Sequence, residues 1–465
     1  MTHSTEATGK VTRPKDAEDA QSLLPLVRYI WLDFQQMADF ERDPLIVTAG
    51  KGLRVWTTDG RQLIDAIAGA MVSTLGYGDE DIYRAMHAAI DRQDFWPVLH
   101  STTPAALRLA GLLAELLPGQ LNTAFLLCGG SEATETAMKM ARQFHRNSGQ
   151  PTRFKVISRY WSYHGATMSA IAASGVSDRR KFEPLPQGFL HVPPPYCYRC
   201  PWGKKPESCS LECASAVEEV IRYEGRETVS ALIVDPIMAA AGVLVPPKAY
   251  YQRLREIADR SGALLIFDEV LTGFGRTGHL FAANYYEVTP DLICLGKGIT
   301  SGYAPVAAVV AHDRVAAAFR GDASRTFLHG HTYGGYPLGC ETAIAVIGKL
   351  VGENIVGRAA EQGAYLGTRL AELAERHVEI GDVRGIGMLW GVEFVADRNS
   401  REPFEPAKAF APLVRRKALQ LGLITRGSAN VLILAPALIA TPEDIDEIVG
   451  IVDRAILMAR QESAV

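Results

Sequence analysis

Nothing in this chain of 465 residues runs apolar for long. No stretch approaches the roughly 18 consecutive apolar residues of a membrane helix. The opening residues, MTHSTEATGKVTRPKDAEDA, lack the apolar core of a secretory signal, so the chain is expected to work in the cytoplasm. An excess of either charge is missing as well: 48 Lys and Arg stand against 52 Asp and Glu. That balance gives no reason to expect nucleic acid or an anionic membrane as a partner. Cysteine is sparse, seven residues without an export signal, which points to free thiols or a metal and not to disulfides. Repeats and low-complexity tracts are absent. What remains is an ordinary globular composition, 48% hydrophobic and 22% charged, long enough for more than one domain.

The middle of the chain alternates short apolar runs with amphipathic stretches. TAFLLC, FKVIS, SALIVDP, ALLIFDEV, DLICLGK and APVAAVVA read as strands; EATETAMKMARQFHR and AYYQRLREIADRSG read as helices between them. Continuous apolar strands alternating with helices predict a mostly parallel sheet covered on both faces. Ligands of such sheets sit beyond the carboxyl ends of the strands, where Cys128-Gly129-Gly130, Asp268 and Lys297 all fall. Before this region, SLLPLVRYIWLDFQQMADF reads as a helical arm and GLRVWTTDGRQLIDA as a hairpin around Asp59-Gly60. Two helical patterns between Asp79 and Leu117 split near Thr103-Pro104. After Glu341 the pattern becomes two helices, the strand GMLWGVEFV, a helix, the strand VLILAPAL and a last helix opened by Thr441-Pro442-Glu443-Asp444.

Three features carry chemistry. Lys297 is delivered at the end of a buried strand between two glycines, a place where lysines otherwise snorkel to the surface. Asp268 ends a second apolar strand and needs a cationic partner there, a protonated ring nitrogen or an arginine such as Arg276. Gly-Gly-Ser at 129–131 opens a helix, and a helix N-terminus with glycine binds anions, although alone it is equally an ordinary capped helix. Tyr163, in the Tyr163-His164-Gly165 turn, offers an aromatic face, and Thr332 offers a hydroxyl in the polar loop HGHTYGGYP. A lysine, a carboxylate and a phosphate cradle together are what pyridoxal phosphate requires.

IFDEVLTGFGRTG followed by PDLICLGKGITSGYAPVAAV resembles the signature of class III pyridoxal-phosphate aminotransferases. GGSEATETAMKMAR, YHG, HGHTYGGYP, VRGIGMLWGVEF and TPEDIDE match that family in the same order, from about Pro44 to about Ala455. The resemblance implies an α/β fold of the aspartate-aminotransferase type (fold type I), a large doubly wound domain plus a small one. Residues 1–75 would form an arm and part of the small domain, 76–340 the large domain with a cysteine-rich insert at 195–214, and 341–465 the rest of the small domain. It implies Lys297 as the Schiff-base lysine and Asp268 on the pyridine nitrogen. Gly130 and Ser131 would hold the phosphate, joined by Thr332 of a neighbouring subunit. Tyr163 with His164 would lie on one ring face and Val270 on the other. A homodimer, or a dimer of dimers, follows from the same resemblance.

Departures narrow the substrate. Ornithine- and 4-aminobutyrate-type members carry EPIQGE where this chain has DPIMAA, so Ala240 replaces a glutamate, and Leu271 replaces a glutamine. Both point to the ω-amino-acid and amine:pyruvate group, whose acceptor carboxylate would meet Arg426. Met71 and Trp161 are expected to line the donor side. YCYRCPWG is similar to a feature of taurine:pyruvate aminotransferases, yet Met71 stands where that group commonly has tryptophan, which widens the pocket. Decarboxylating or epimerising enzymes of the same fold share these motifs. Cys197, Cys200, Cys209 and Cys213 have a spacing compatible with structural zinc, which leaves open a zinc-stabilised, non-catalytic protein; no metal is expected at the active site.

Overall fold

A computed structural model describes residues 20–463. At its centre lie seven strands: β1 (Leu121–Leu127), β2 (Lys155–Arg159), β3 (Phe189–Val192), β4 (Val229–Val234), β5 (Leu264–Glu269), β6 (Leu292–Leu295) and β7 (Ala307–His312). They form one sheet in the order β1-β7-β6-β5-β4-β2-β3. Only β7 runs antiparallel to its neighbours; the pairs from β6 through β5, β4 and β2 to β3 are parallel. Every residue of β4, β5 and β6 is buried. Alternate residues serve opposite faces. Ala231, Ile233, Leu264, Ile266, Leu292 and Cys294 join Ala133, Ala137 and Ala141 of helix Gly130–Asn147. Leu232, Val234, Leu265, Phe267, Ile293 and Leu295 join Tyr250, Tyr251 and Leu254 of helix Lys248–Ser261. That two-sided burial is why these runs read as continuously apolar.

The ends of the chain meet outside this sheet. Val47–Lys51, Arg54–Thr57 and Gln62–Asp65 form an antiparallel set, and Leu423–Ile424 adds to it in parallel beside Ile64 and Asp65. A third sheet combines Ile380–Ile386, Leu389–Phe394, Val431–Leu434 and Arg426–Ser428. Helix starts follow their side-chain caps. Thr103 accepts from Ala106 N–H at 3.2 Å, and Thr441 and Asp444 cap each other's backbone at 3.2 and 3.1 Å.

Two local expectations change. The helical arm is broken: Ala20–Leu23 passes into a 3-10 turn over Leu24–Tyr29, and a new helix starts only at Met37. Pro25 withholds a backbone donor, and Gln36 caps the new helix through Ala38 N–H. The strands Phe189–Val192 and Ile380–Ile386 were not expected. The first is short and edge-placed before three prolines, and the second carries glycines and charges that mask its alternation. The stretch before residue 20 lies outside the described residues. Among those described, no helix is long and apolar enough to cross a membrane.

Candidate active site

The carboxyl ends of β1, β5 and β6 converge on one space. Lys297 follows β6 by two residues, and its backbone has a φ of 42°, a left-handed conformation that a lysine rarely adopts. Strain of this kind persists where surrounding structure fixes it. The segment is pinned from the loop after Ala68–Met71: Leu75 N–H donates to Ser301 Oγ at 2.9 Å. Burial pushes the Lys297 amine down to about 8, helped by the charges of Arg426 and Arg276 and opposed by Asp268. A lysine so shifted holds a substantial fraction of free amine near neutral pH, which a nucleophile needs.

Asp268 is buried on β5, and its partner is a histidine. His164 Nδ1 lies 2.8 Å from Asp268 Oδ2, with both side chains enclosed. The other carboxylate oxygen accepts from Val270 N–H at 3.2 Å. Arg276, the arginine considered for this role, is instead fully buried and donates to the carbonyls of Met388 and Pro436. Among the described residues no arginine forms an ion pair with Asp268, and a protonated ring nitrogen fits the remaining demand.

Helix Gly130–Asn147 starts without any side-chain cap. Its first N–H groups are thus left for an anion. The approach is cleared of side chains. A methyl group at Gly130 would lie 2.6 Å from Val270 Cγ1, and one at Gly165 would lie 2.6 Å from Ser131 Oγ. Ser131 Oγ also accepts from Ala166 N–H at 3.0 Å, tying this helix start to the Tyr163–Gly165 turn. Uncapped helix, buried carboxylate and depressed lysine together fit pyridoxal phosphate.

Tyr163 is half-buried and close enough to Arg426 and Asp268 for both charges to act on it; burial is the main force raising its hydroxyl's pKa. Arg426 lies exposed at the start of the strand Arg426–Ser428, and no carboxylate among the described residues forms an ion pair with it. Met71 is buried at a φ of 62°. Trp161 is half-exposed and packs edge-on against Tyr196, two residues from Tyr163 but turned to another neighbour. Thr332 is exposed beside His331, whose Nδ1 is 3.5 Å from Glu132 Oε1. The sequence reading missed Phe34, whose ring meets Tyr163 edge-on at 6.3 Å. Nothing in its surroundings in the sequence signals that contact, because the arm read as one helix. It also missed Asp235 and Arg159 behind the site. The four cysteines of the insert are free thiols, and among the described residues no group of three or more potential ligands is arranged to hold a metal.

A family model described as aminotransferase class-III matches residues 37–456. The chain belongs to the class-III aminotransferases. It is a pyridoxal-phosphate-dependent transaminase of fold type I. Among its relatives, the putrescine–pyruvate aminotransferase of Pseudomonas aeruginosa is 34% identical over 91% of this chain and 92% of its own length. The hypotaurine/taurine–pyruvate aminotransferase of Paracoccus denitrificans is 35% identical, covering 92% of this chain and 95% of its own. A thermostable (S)-enantioselective omega-transaminase from Thermomicrobium roseum superposes with a TM-score of 0.91 at 35% identity, over 95% of this chain and 98% of that one. The class-III aminotransferase match thus spans residues 37–456.

Proposed function

We propose that this class-III aminotransferase moves an amino group from a primary ω-amine or amino-acid donor to pyruvate in two half-reactions at one site. The observation that carries this reading is the placement of Arg426, unpaired by any carboxylate among the described residues and within electrostatic reach of both Lys297 and Tyr163. A guanidinium so placed suits the carboxylate of a small keto acid. The pyruvate-using relatives support the same acceptor.

Bound here, the cofactor supplies an aldehyde that takes up amino groups and a ring that accepts an electron pair. This chain's residues do the rest. Lys297 would hold the cofactor through its amine, and that amine is the group placed to carry a proton to and from the substrate carbon. Asp268, held by His164, keeps the ring nitrogen protonated. The start of helix Gly130–Asn147, with Gly130 and Ser131, holds the phosphate, while Tyr163 with His164 and Val270 flank the ring. Met71 and Trp161 lie on the donor side. Because Met71 is unbranched and buried, it leaves an adaptable wall suited to amines bulkier than taurine.

The active unit in this reading is a homodimer. Phe95, Trp96, Leu99, Leu328 and Tyr333 are exposed, and the Phe95 and Tyr333 rings touch at 5.5 Å, so the two stretches form one apolar patch. Thr332 lies within it, placed to serve a neighbour's phosphate. The large domain then spans residues 76–340, and the small domain combines the two chain ends. The test mixes the yellow, cofactor-loaded protein with a panel of amines, taurine included. Donors bleach the visible band, and added pyruvate restores it with one alanine formed per site. Restoration by 2-oxoglutarate alone would count against pyruvate as the acceptor.

A further inference from the structure

Asp268 and His164 are backed by a second pair of charges that the transamination chemistry does not use. His164 Nε2 is buried and finds no hydrogen-bond partner among the described residues, so one side of this imidazole faces inward unused. Beyond it, Arg159 ends β2, and Asp235 directly follows β4. Arg159 Nη2 donates to Asp235 Oδ1 at 2.8 Å and to the Asp235 carbonyl at 2.5 Å, while Nη1 donates to Tyr251 Oη at 3.0 Å. The Arg159 side chain is 1% exposed.

Strand register brings this pair next to the site. Val234 pairs with Phe267 across β4 and β5, so Asp235 and Asp268 each follow that pair by one residue. The edge of β5, β4 and β2 therefore presents Asp268, Asp235 and Arg159 in succession, with His164 bonded to Asp268 and within electrostatic reach of Asp235. Their charges act on one another. Burial raises the proton affinity of Asp235, Arg159 and His164 lower it, and Asp268 raises it again. Burial works against the Arg159 charge, but Tyr251, Tyr250 and Asp235 outweigh it, and the guanidinium stays charged. Tyr250 and Tyr251 also couple electrostatically to Asp235, and Tyr251 Oη donates to its carbonyl at 3.3 Å. A buried ion pair contributes little net stability, because desolvation offsets the attraction. Its place beside the site calls for another role.

We propose that Arg159 and Asp235 are positioning residues: a second charged layer that sets the electrostatic field in which Asp268 holds the cofactor's ring. The inference rests on the pyridoxal-phosphate reading. Charges on the strands beside Asp268, in a buried interior, remain strongly felt at the ring.

The test is a pH titration of the visible absorbance of the cofactor-loaded protein. Asp235→Asn removes a negative charge with little change of shape, so the protonated, cationic chromophore loses its proton more readily. The midpoint falls by about half a pH unit or more. Arg159→Met removes a positive charge and raises the midpoint. The double variant, which removes both charges and leaves a neutral pair, returns close to the parent. Opposite shifts with cancellation are the signature of a field, because a loosened site would move both single variants the same way. Two shifts of one sign, or an unmoved midpoint in Asp235→Asn, overturn the proposal. A parent protein that shows no visible band on loading would instead refute the cofactor reading beneath it.

Discussion

At the scale of the residue, Lys297 combines a left-handed backbone with an amine whose pKa burial lowers to about 8. The sign of the consequence is fixed. The free amine attacks, and a depressed pKa lets it form at lower pH than an ordinary lysine does. The rate at which cofactor-free protein takes up pyridoxal phosphate should therefore rise with pH and level off above about 8. Stopped-flow absorbance measures it, and a rate still climbing steeply near pH 10 would contradict the depressed amine. Arg426→Leu should raise the KM for pyruvate about tenfold or more while bleaching by the amine donor stays nearly unchanged. Equal losses in both half-reactions would assign Arg426 a general structural role. The places of Lys297 and Asp268 at the carboxyl edge of the sheet were legible in the sequence because each ends an apolar run too short for a buried helix. Arg276 stayed open as an alternative partner for Asp268 because a sequence shows charge and not direction; its guanidinium turns to the Met388 and Pro436 carbonyls. Asp235 was invisible as a functional group because its meaning depends on register with a neighbouring strand.

At the scale of the element, the site depends on how closely two turns approach the start of helix Gly130–Asn147. Gly165 sits at a φ of 125° against Ser131. Gly165→Ala adds both backbone strain and a clash, and it should weaken pyridoxal-phosphate affinity about tenfold or more with little change in fold content. Equilibrium dialysis measures the affinity; unchanged binding would separate this turn from the phosphate cradle. The strands of the central sheet were readable because burial on both faces leaves them uniformly apolar. The edge strand Phe189–Val192 was not, since His191 and the following prolines obscure a half-exposed pattern. The arm showed its apolar residues but not its break, which a single proline and the Gln36 cap determine.

At the scale of the whole molecule, the apolar surface gathers from distant stretches, residues 95–99 and 328–333, and so leaves no periodic trace in the sequence. If this patch joins two subunits, Leu99→Asp combined with Leu328→Asp should turn a dimer into monomers by light scattering and should cost cofactor retention as Thr332 is withdrawn. A double variant that stays dimeric would move the interface elsewhere. The family frame, by contrast, was legible from the order of its motifs, and the sheets at both chain ends agree with it. Lys297 is proposed as the covalent attachment point of the cofactor. Borohydride reduction of the yellow protein followed by peptide mapping tests it most directly. A phosphopyridoxyl group is expected on the peptide containing Lys297 and on no other; a label on a different lysine would overturn the assignment.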